Sequence, residues 1–240
     1  KNGITINNIA IIYAKTGDID QALDYFNRSL AISEELDDND GIATSYVNIG
    51  LVHNVKGEYD QAIDYLNRGI TISEELGDKY GIGNNLNNIG FIFIAKGEYD
   101  QAIEYQKRAL QISEELDNKE GMANSLLGIA NNYSNIGEYD QALNYLNLGL
   151  KICEEQGYKR KINNCLYQFG EVHLLKGEYD QALDYYTRSI EIIVELGDEY
   201  RLEMITNSFL VSKYLGKEYD IQEIHKLIEK TDEIDYKTNF

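Results

Sequence analysis

The 240-residue chain has no proline and no tryptophan, and only two cysteines, two methionines and three histidines. Without proline no helix can be ended by a missing N–H, so its helices must stop by another device. The two cysteines, Cys153 and Cys165, fall inside helical pattern. An even pair permits a disulfide. The chain lacks the cysteine-dense, loop-rich composition of a secreted scaffold, and the expectation is free, half-buried thiols. His53, His173 and His225 are far apart and no CxxC occurs, so neither a metal site nor a cofactor is expected.

Basic residues are few: 22 Lys and Arg face 41 Asp and Glu, giving a net charge of −19. Such a chain is repelled by phosphate backbones and anionic lipid, so no nucleic acid and no membrane partner is expected. No apolar run is long enough to span a bilayer, no signal peptide opens the chain, and the expected location is cytoplasmic. Chemistry-bearing constellations are missing as well. Adjacent acids such as Glu74-Glu75 lie about 100° apart on a helix, which suits a solvated face better than a shared acid–base site. Gly81-Ile82-Gly83 runs into Leu86 with no strand before it, so it is no phosphate loop. The chain is not expected to be an enzyme.

What the chain does have is repetition. Gly-Glu-Tyr-Asp-Gln-Ala begins at Gly57, Gly97, Gly137 and Gly177, with an imperfect copy at Gly17 and a worn one at Lys217. The spacing is 40 residues. A period of that length means one supersecondary unit stacked on itself. In one unit Tyr46, Ile49, Gly50 and His53 follow i, i+3, i+4, i+7, a helical face. Gly50 leaves room for a neighbouring helix, and Gly57 is a left-handed C-cap. A second helix carries Tyr59, Ala62, Ile63, Leu66, Ile70 and Ile72 and ends at Leu76-Gly77. Asp38, Asp78, Asn118 and Asp198 stand where the next helix needs an N-cap. Helix pairs are therefore predicted at about 4–36, 41–76, 80–116, 120–156, 160–196 and 200–230, antiparallel because the turns are short.

These units resemble the tetratricopeptide repeat. Asn48-Ile49-Gly50, His53, Gly57, Tyr59, Ala62, Leu66 and Ile70 follow that family's pattern, as do Asn88-Ile89-Gly90, Phe93, Gly97, Tyr99 and Ala102. The variety resembled is the long repeat of kinesin light chains, the LGN/Pins polarity adaptors and bacterial peptide-pheromone receptors. The resemblance implies an all-α fold, a right-handed α-solenoid of about six antiparallel helix pairs. It implies one array over 1–231, with repeats at about 1–38, 39–78, 79–118, 119–158, 159–198 and 199–231, then a tail over 232–240. The last unit departs from the pattern at Leu210, Gly216 and Gln222 and reads as a cap. His53 and His173 sit where other units hold Tyr13, Phe93 and Tyr133, so they read as aromatic substitutes in the core.

The resemblance also implies a concave side lined by the first helices. The candidate peptide-binding residues there are Asn7, Asn8, Asn48, Leu51, Asn84, Asn87, Asn88, Phe91, Asn124, Leu127, Asn131, Asn164 and Tyr167. Asparagine is a poor helix former, so its density on these helices asks for a reason. Its amide both donates and accepts, which matches the backbone of an extended peptide. The competing reading is that asparagine at the Asn48/Asn88 offset bonds the adjacent repeat and is structural. Lys15 is the lone base at these offsets and Glu171 opposes it, so no carboxylate clamp of the chaperone type is expected.

The expected partner is a protein or an extended peptide segment, with a sensory or regulatory array of a larger signalling protein as the alternative. The first residue, Lys1, enters helical pattern almost at once, which reads as a segment of something longer or an excised piece. Gly157-Tyr158-Lys159-Arg160-Lys161 is the one basic loop; it either docks an acidic partner or pairs with acids nearby.

Overall fold

A computed structural model describes residues 2–197 and 210–211. All regular structure among the described residues is helical: α1 (Asn2–Lys15), α2 (Ile19–Glu35), α3 (Asn39–Val55), α4 (Tyr59–Leu76), α5 (Lys79–Ala95), α6 (Tyr99–Glu115), α7 (Lys119–Asn135), α8 (Tyr139–Gln156), α9 (Lys159–Leu175) and α10 (Tyr179–Leu196). These helices form the first five predicted pairs, each beginning one or two residues earlier than the hydrophobic pattern alone places it. Apart from residues 210–211, the sixth pair, the tail, Gly216 and the cap at Asp198 lie outside the described residues.

Each first helix stops by the same hydrogen bonds. At the end of α3, Glu58 N donates to His53 O at 2.9 Å and Gly57 N to Asn54 O at 3.0 Å. Gly57 takes φ +77°, open to glycine without steric cost. Second helices end in left-handed Gly77, Gly157 and Gly197, but α2 and α6 end otherwise: Asp37 and Asp117 hold φ +51°. Aspartate tolerates that region better than most residues, because its short polar side chain can bond locally. The predicted N-caps are in place. Asp38, Asp78 and Asn118 accept from the N–H of Gly41, Gly81 and Gly121 at 3.1, 3.0 and 3.1 Å.

The chain divides into two compact units, residues 1–132 and 133–240. In the first, Ala22 and Phe26 of α2 pack on Ile49 and Val52 of α3, and Ala62 and Leu66 of α4 pack on Ile89 and Ile92 of α5. One rule therefore builds these two junctions: Ala and a large residue one turn on meet two apolar residues of the next first helix. Within the α3–α4 pair Gly50 permits close packing, since a Cβ on it would lie 3.1 Å from both Ala62 O and Leu66 Cγ and α4 would have to give slightly. In the second unit Ala182, Tyr186 and Val211 form the corresponding cluster.

A ladder of stacked rings joins the two helices of each of the five described pairs. Tyr13–Tyr25, His53–Tyr65, Phe93–Tyr105, Tyr133–Tyr145 and His173–Tyr185 have centroids 5.3, 5.3, 5.2, 5.5 and 5.3 Å apart. The two histidines thus fill an aromatic position. Each also meets the glutamate that opens the next helix, His53 Nδ1 at 2.5 Å from Glu58 and His173 Nδ1 at 2.6 Å from Glu178.

The expectation of half-buried thiols is corrected. Cys153 and Cys165 are both fully buried and free. They replace the Ser33/Ser45 and Ser113/Ser125 pairs of earlier junctions, and two thiols fit a dry junction better than two hydroxyls do. The hydrogen bond with the Cys153 sulfur, and then burial, push the Cys165 thiol well up.

Candidate functional site

The candidate residues are spread along successive first helices, and the two units are described separately. In residues 1–132, α1, α3 and α5 lie side by side. Their faces away from the second helices carry Asn8, Asn84, Leu51 and Phe91, all exposed, with Asn7, Asn48, Asn87 and Asn88 half-buried, and α7 adds the exposed Asn124 and Asn131. Leu51 is 38% and Phe91 50% exposed, a high value for side chains of this size. Leu127, expected on the same face, is buried at 6%. Lys15 is the one basic residue at these offsets of α1, α3, α5 and α7 up to Asn132.

The structure separates two kinds of asparagine. Asn48 Nδ2 donates to Asn7 Oδ1 at 2.8 Å, and Ser125 Oγ donates to Asn87 Oδ1 at 3.1 Å. These bonds cross from one repeat to the next and use part of the amides' capacity structurally. Asn84, Asn88 and Asn131 make no side-chain hydrogen bond among the described residues.

In residues 133–240, α9 presents Asn164 exposed and Tyr167 half-buried. Gln168 Nε2 donates to Asn164 Oδ1 at 3.3 Å. Tyr186, buried between helices, donates its hydroxyl to Glu171 Oε1 at 2.5 Å and lies 5.8 Å from the Tyr167 ring. Burial first, then the hydrogen bond to the Glu171 carboxylate, pushes the Tyr186 phenol well above its ordinary value. Glu171 is therefore engaged by a tyrosine of its own unit.

Ion pairs recur at the turns. Lys56–Asp20 and Lys96–Asp60 in the first unit close to 3.2 and 3.3 Å, and Lys176–Asp140 in the second to 3.1 Å. Glu98 and then Asp60 hold the Lys96 ammonium protonated above the usual lysine range. The basic loop pairs locally: Lys159 Nζ lies 2.7 Å from Glu195, and Arg160 and Lys161 are engaged too. Among the described residues no group of three metal-ligating side chains occurs, and no helix is long and apolar enough to cross a membrane.

One polar pair escapes a reading of surface offsets. Gln106 and Asn132 are both 0% exposed, and Asn132 Nδ2 donates to Gln106 Oε1 at 2.8 Å. Equivalent pairs 26 residues apart are Phe26/Val52, Leu66/Ile92 and Leu146/Val172. The signal is in the sequence: polar residues stand at both partners of this junction and at neither partner of those three.

Models of the tetratricopeptide repeat match residues 3–75 and 81–155, and a second model of the same repeat matches 166–200. The chain belongs to the tetratricopeptide repeat family. No curated protein matches it by sequence. Among solved structures, the repeat protein is similar to BtubC (BKLC) from P. vanneervenii, at 16% identity and TM-score 0.75 over 92% of each chain. It is similar to a STAND protein with a tetratricopeptide repeat sensor from Pyrococcus horikoshii, at 17% identity and TM-score 0.77, covering 98% of this chain and 36% of that one. A Rap protein complexed with Competence and Sporulation Factor matches at 16% identity and TM-score 0.73, covering 97% of this chain and 67% of that one. Likeness at this identity carries the fold.

Proposed function

We propose that this tetratricopeptide repeat protein is a non-catalytic scaffold that binds a protein or extended peptide segment along its first helices. One observation carries the reading. In a chain of charge −19, the outer faces of α1, α3, α5 and the part of α7 up to Asn132 are almost uncharged. They expose Leu51 and Phe91, and the amides of Asn84, Asn88 and Asn131 there have no internal partner among the described residues. Such amides can bond a peptide backbone while the two apolar side chains take up its side chains. A net hydrogen bond contributes about 0.5–1.5 kcal/mol, so several along the face are needed. The Rap protein solved with Competence and Sporulation Factor is a similar fold holding a named factor, and this supports the reading. No clamp for a C-terminal carboxylate belongs to it, because the face supplies one lysine. The reading takes residues 1–231 as one array in the cytoplasm.

The test uses the best peptide from an unbiased display selection. Phe91→Ala should weaken its binding about tenfold or more, as loss of a central aromatic contact does. Asn84→Ala should weaken it several-fold, with helicity unchanged in both variants. Unchanged affinity in both would sink the proposal.

The similarity to the STAND repeat sensor favours a second reading, a regulatory array acting on an effector domain of a larger protein. Pull-down of such an effector domain by the chain, lost with Phe91→Ala, would join the two readings.

A further inference from the structure

A cavity of about 330 Å³ opens between α1, α2 and α3 in the first unit. Asn7, Ser33, Ser45, Asp38 and Asp40 line it around Gly3, and among the described residues no basic one does. Ser33 and Ser45 are 4% and 1% exposed, and neither hydroxyl has a hydrogen-bond partner among the described residues. Both hydroxyls can therefore bond whatever enters the cavity.

The repeat tells what fills it elsewhere. Asn163 holds the offset of Gly3 in the fifth pair, and its Nδ2 donates to Ser189 O at 2.8 Å and to Ser189 Oγ at 3.1 Å. Asn85 holds the offset of Ser45 in the third pair. Its Nδ2 would lie 3.3 Å from a Cβ on Gly69, which shares its offset with Ser29 and Ser189. In both places an amide nitrogen occupies the space. In the first pair Gly3 has no side chain and Ser45 is short, so no amide enters, and Ser29 Oγ donates instead to Gly3 O at 3.1 Å.

We propose that this pocket binds a cationic N–H donor, a guanidinium or primary ammonium group. The unpaired hydroxyls accept its N–H bonds as internal carbonyl and hydroxyl groups do for Asn163. Asp38 gives one carboxylate oxygen to its cap, accepting from Gly41 N at 3.1 Å, and keeps the other. Asp40 in the first turn of α3 adds a second negative charge. The positive end of the α3 dipole opposes a cation with about half a charge, and two carboxylates outweigh it. The volume is at the low end for ligand pockets, which suits one side chain or a small amine. The pocket does not rest on the peptide-face reading, and each can fail alone.

Ligand-observed NMR with agmatine, Nα-acetyl-arginine-N-methylamide and its neutral isostere Nα-acetyl-citrulline-N-methylamide tests the proposal. Saturable binding of at least one cationic probe is expected at about 1 mM or tighter, with citrulline at least about tenfold weaker. Agmatine binding better marks a free amine as the source; acetyl-arginine binding better marks a residue within a chain. Gly3→Asn places in the pocket the residue the fifth pair already carries there, and should abolish binding with helicity kept. Asp40→Asn, at an exposed site, should weaken binding several-fold. No saturation by either cation, equal binding of the citrulline probe, or unchanged binding in both variants would overturn it.

Discussion

Asp37 and Asp117 show how the fold tolerates a poor residue at a fixed conformation. Both occupy left-handed backbone where other pairs carry glycine. Replacing either by glycine should stabilise the chain by about 0.5–1 kcal/mol, since the native φ costs glycine nothing. A rise in urea midpoint at constant m checks this, and a fall would mean the aspartate side chains hold their turns. Tyr186 gives a pH prediction. Its phenol is raised in the folded state, so the stability linked to it is intact below the unfolded value near 10 and is lost as pH rises above that. Tyr186→Phe should lose less stability than wild type between about pH 9 and pH 11 in urea titrations. Equal slopes would show that Tyr186 ionises as freely when folded.

The buried thiols are a third residue-scale test. Cys153 and Cys165 should react with a thiol reagent only as fast as the second unit opens, and denaturant should accelerate both together. Fast labelling of the native chain would mean that the α8–α9 junction is loose.

Among the elements, the junction between repeats is where sequence and structure meet most closely. Two apolar pairs set the rule, Phe26/Val52 and Leu66/Ile92, and Gln106/Asn132 breaks it at both partners. Gln106 Nε2 and Asn132 Oδ1 remain without hydrogen-bond partners in that buried space. Removing one member strands the other's amide, so Gln106→Leu and Asn132→Val should each cost about 1–3 kcal/mol. The double variant restores the apolar rule and should be at least as stable as wild type, with the coupling read from a double-mutant cycle. Simple additivity of the two losses would refute the pairing. A fully apolar junction offers the contrast: Leu66→Ala should cost about 2–5 kcal/mol, because nothing collapses into the space beside Gly50.

Much of this was legible because a period repeats its evidence. The helix pairs, their glycine stops and the caps at Asp38, Asp78 and Asn118 follow from offsets that recur in several copies. The aromatic role of His53 and His173 did too, since other copies hold tyrosine and phenylalanine there. What escaped was contact between copies. Nothing in the spacing says that Asn48 bonds Asn7 while Asn88 keeps its amide open, or that Leu127 is buried while Phe91 is exposed. Such differences depend on the neighbour one repeat away, at a separation of about 40 residues, and a single unit's pattern does not contain it.

On the scale of the whole molecule, charge and face point apart. The chain carries −19, yet the first-helix faces of residues 2–132 are nearly neutral. A ligand held by amides and apolar side chains should bind with little dependence on salt between about 50 and 500 mM, because screening acts on exposed charges. A steep fall in affinity with salt would shift the binding to the acidic second helices. The most direct measurement is photo-crosslinking of a display-selected peptide followed by mass spectrometry of the attached residues. The account predicts attachment at Leu51, Asn84, Phe91 and their neighbours on α1, α3, α5 and α7. Attachment confined to the outward glutamates of α2, α4 and α6, such as Glu34, Glu75 and Glu114, would contradict it.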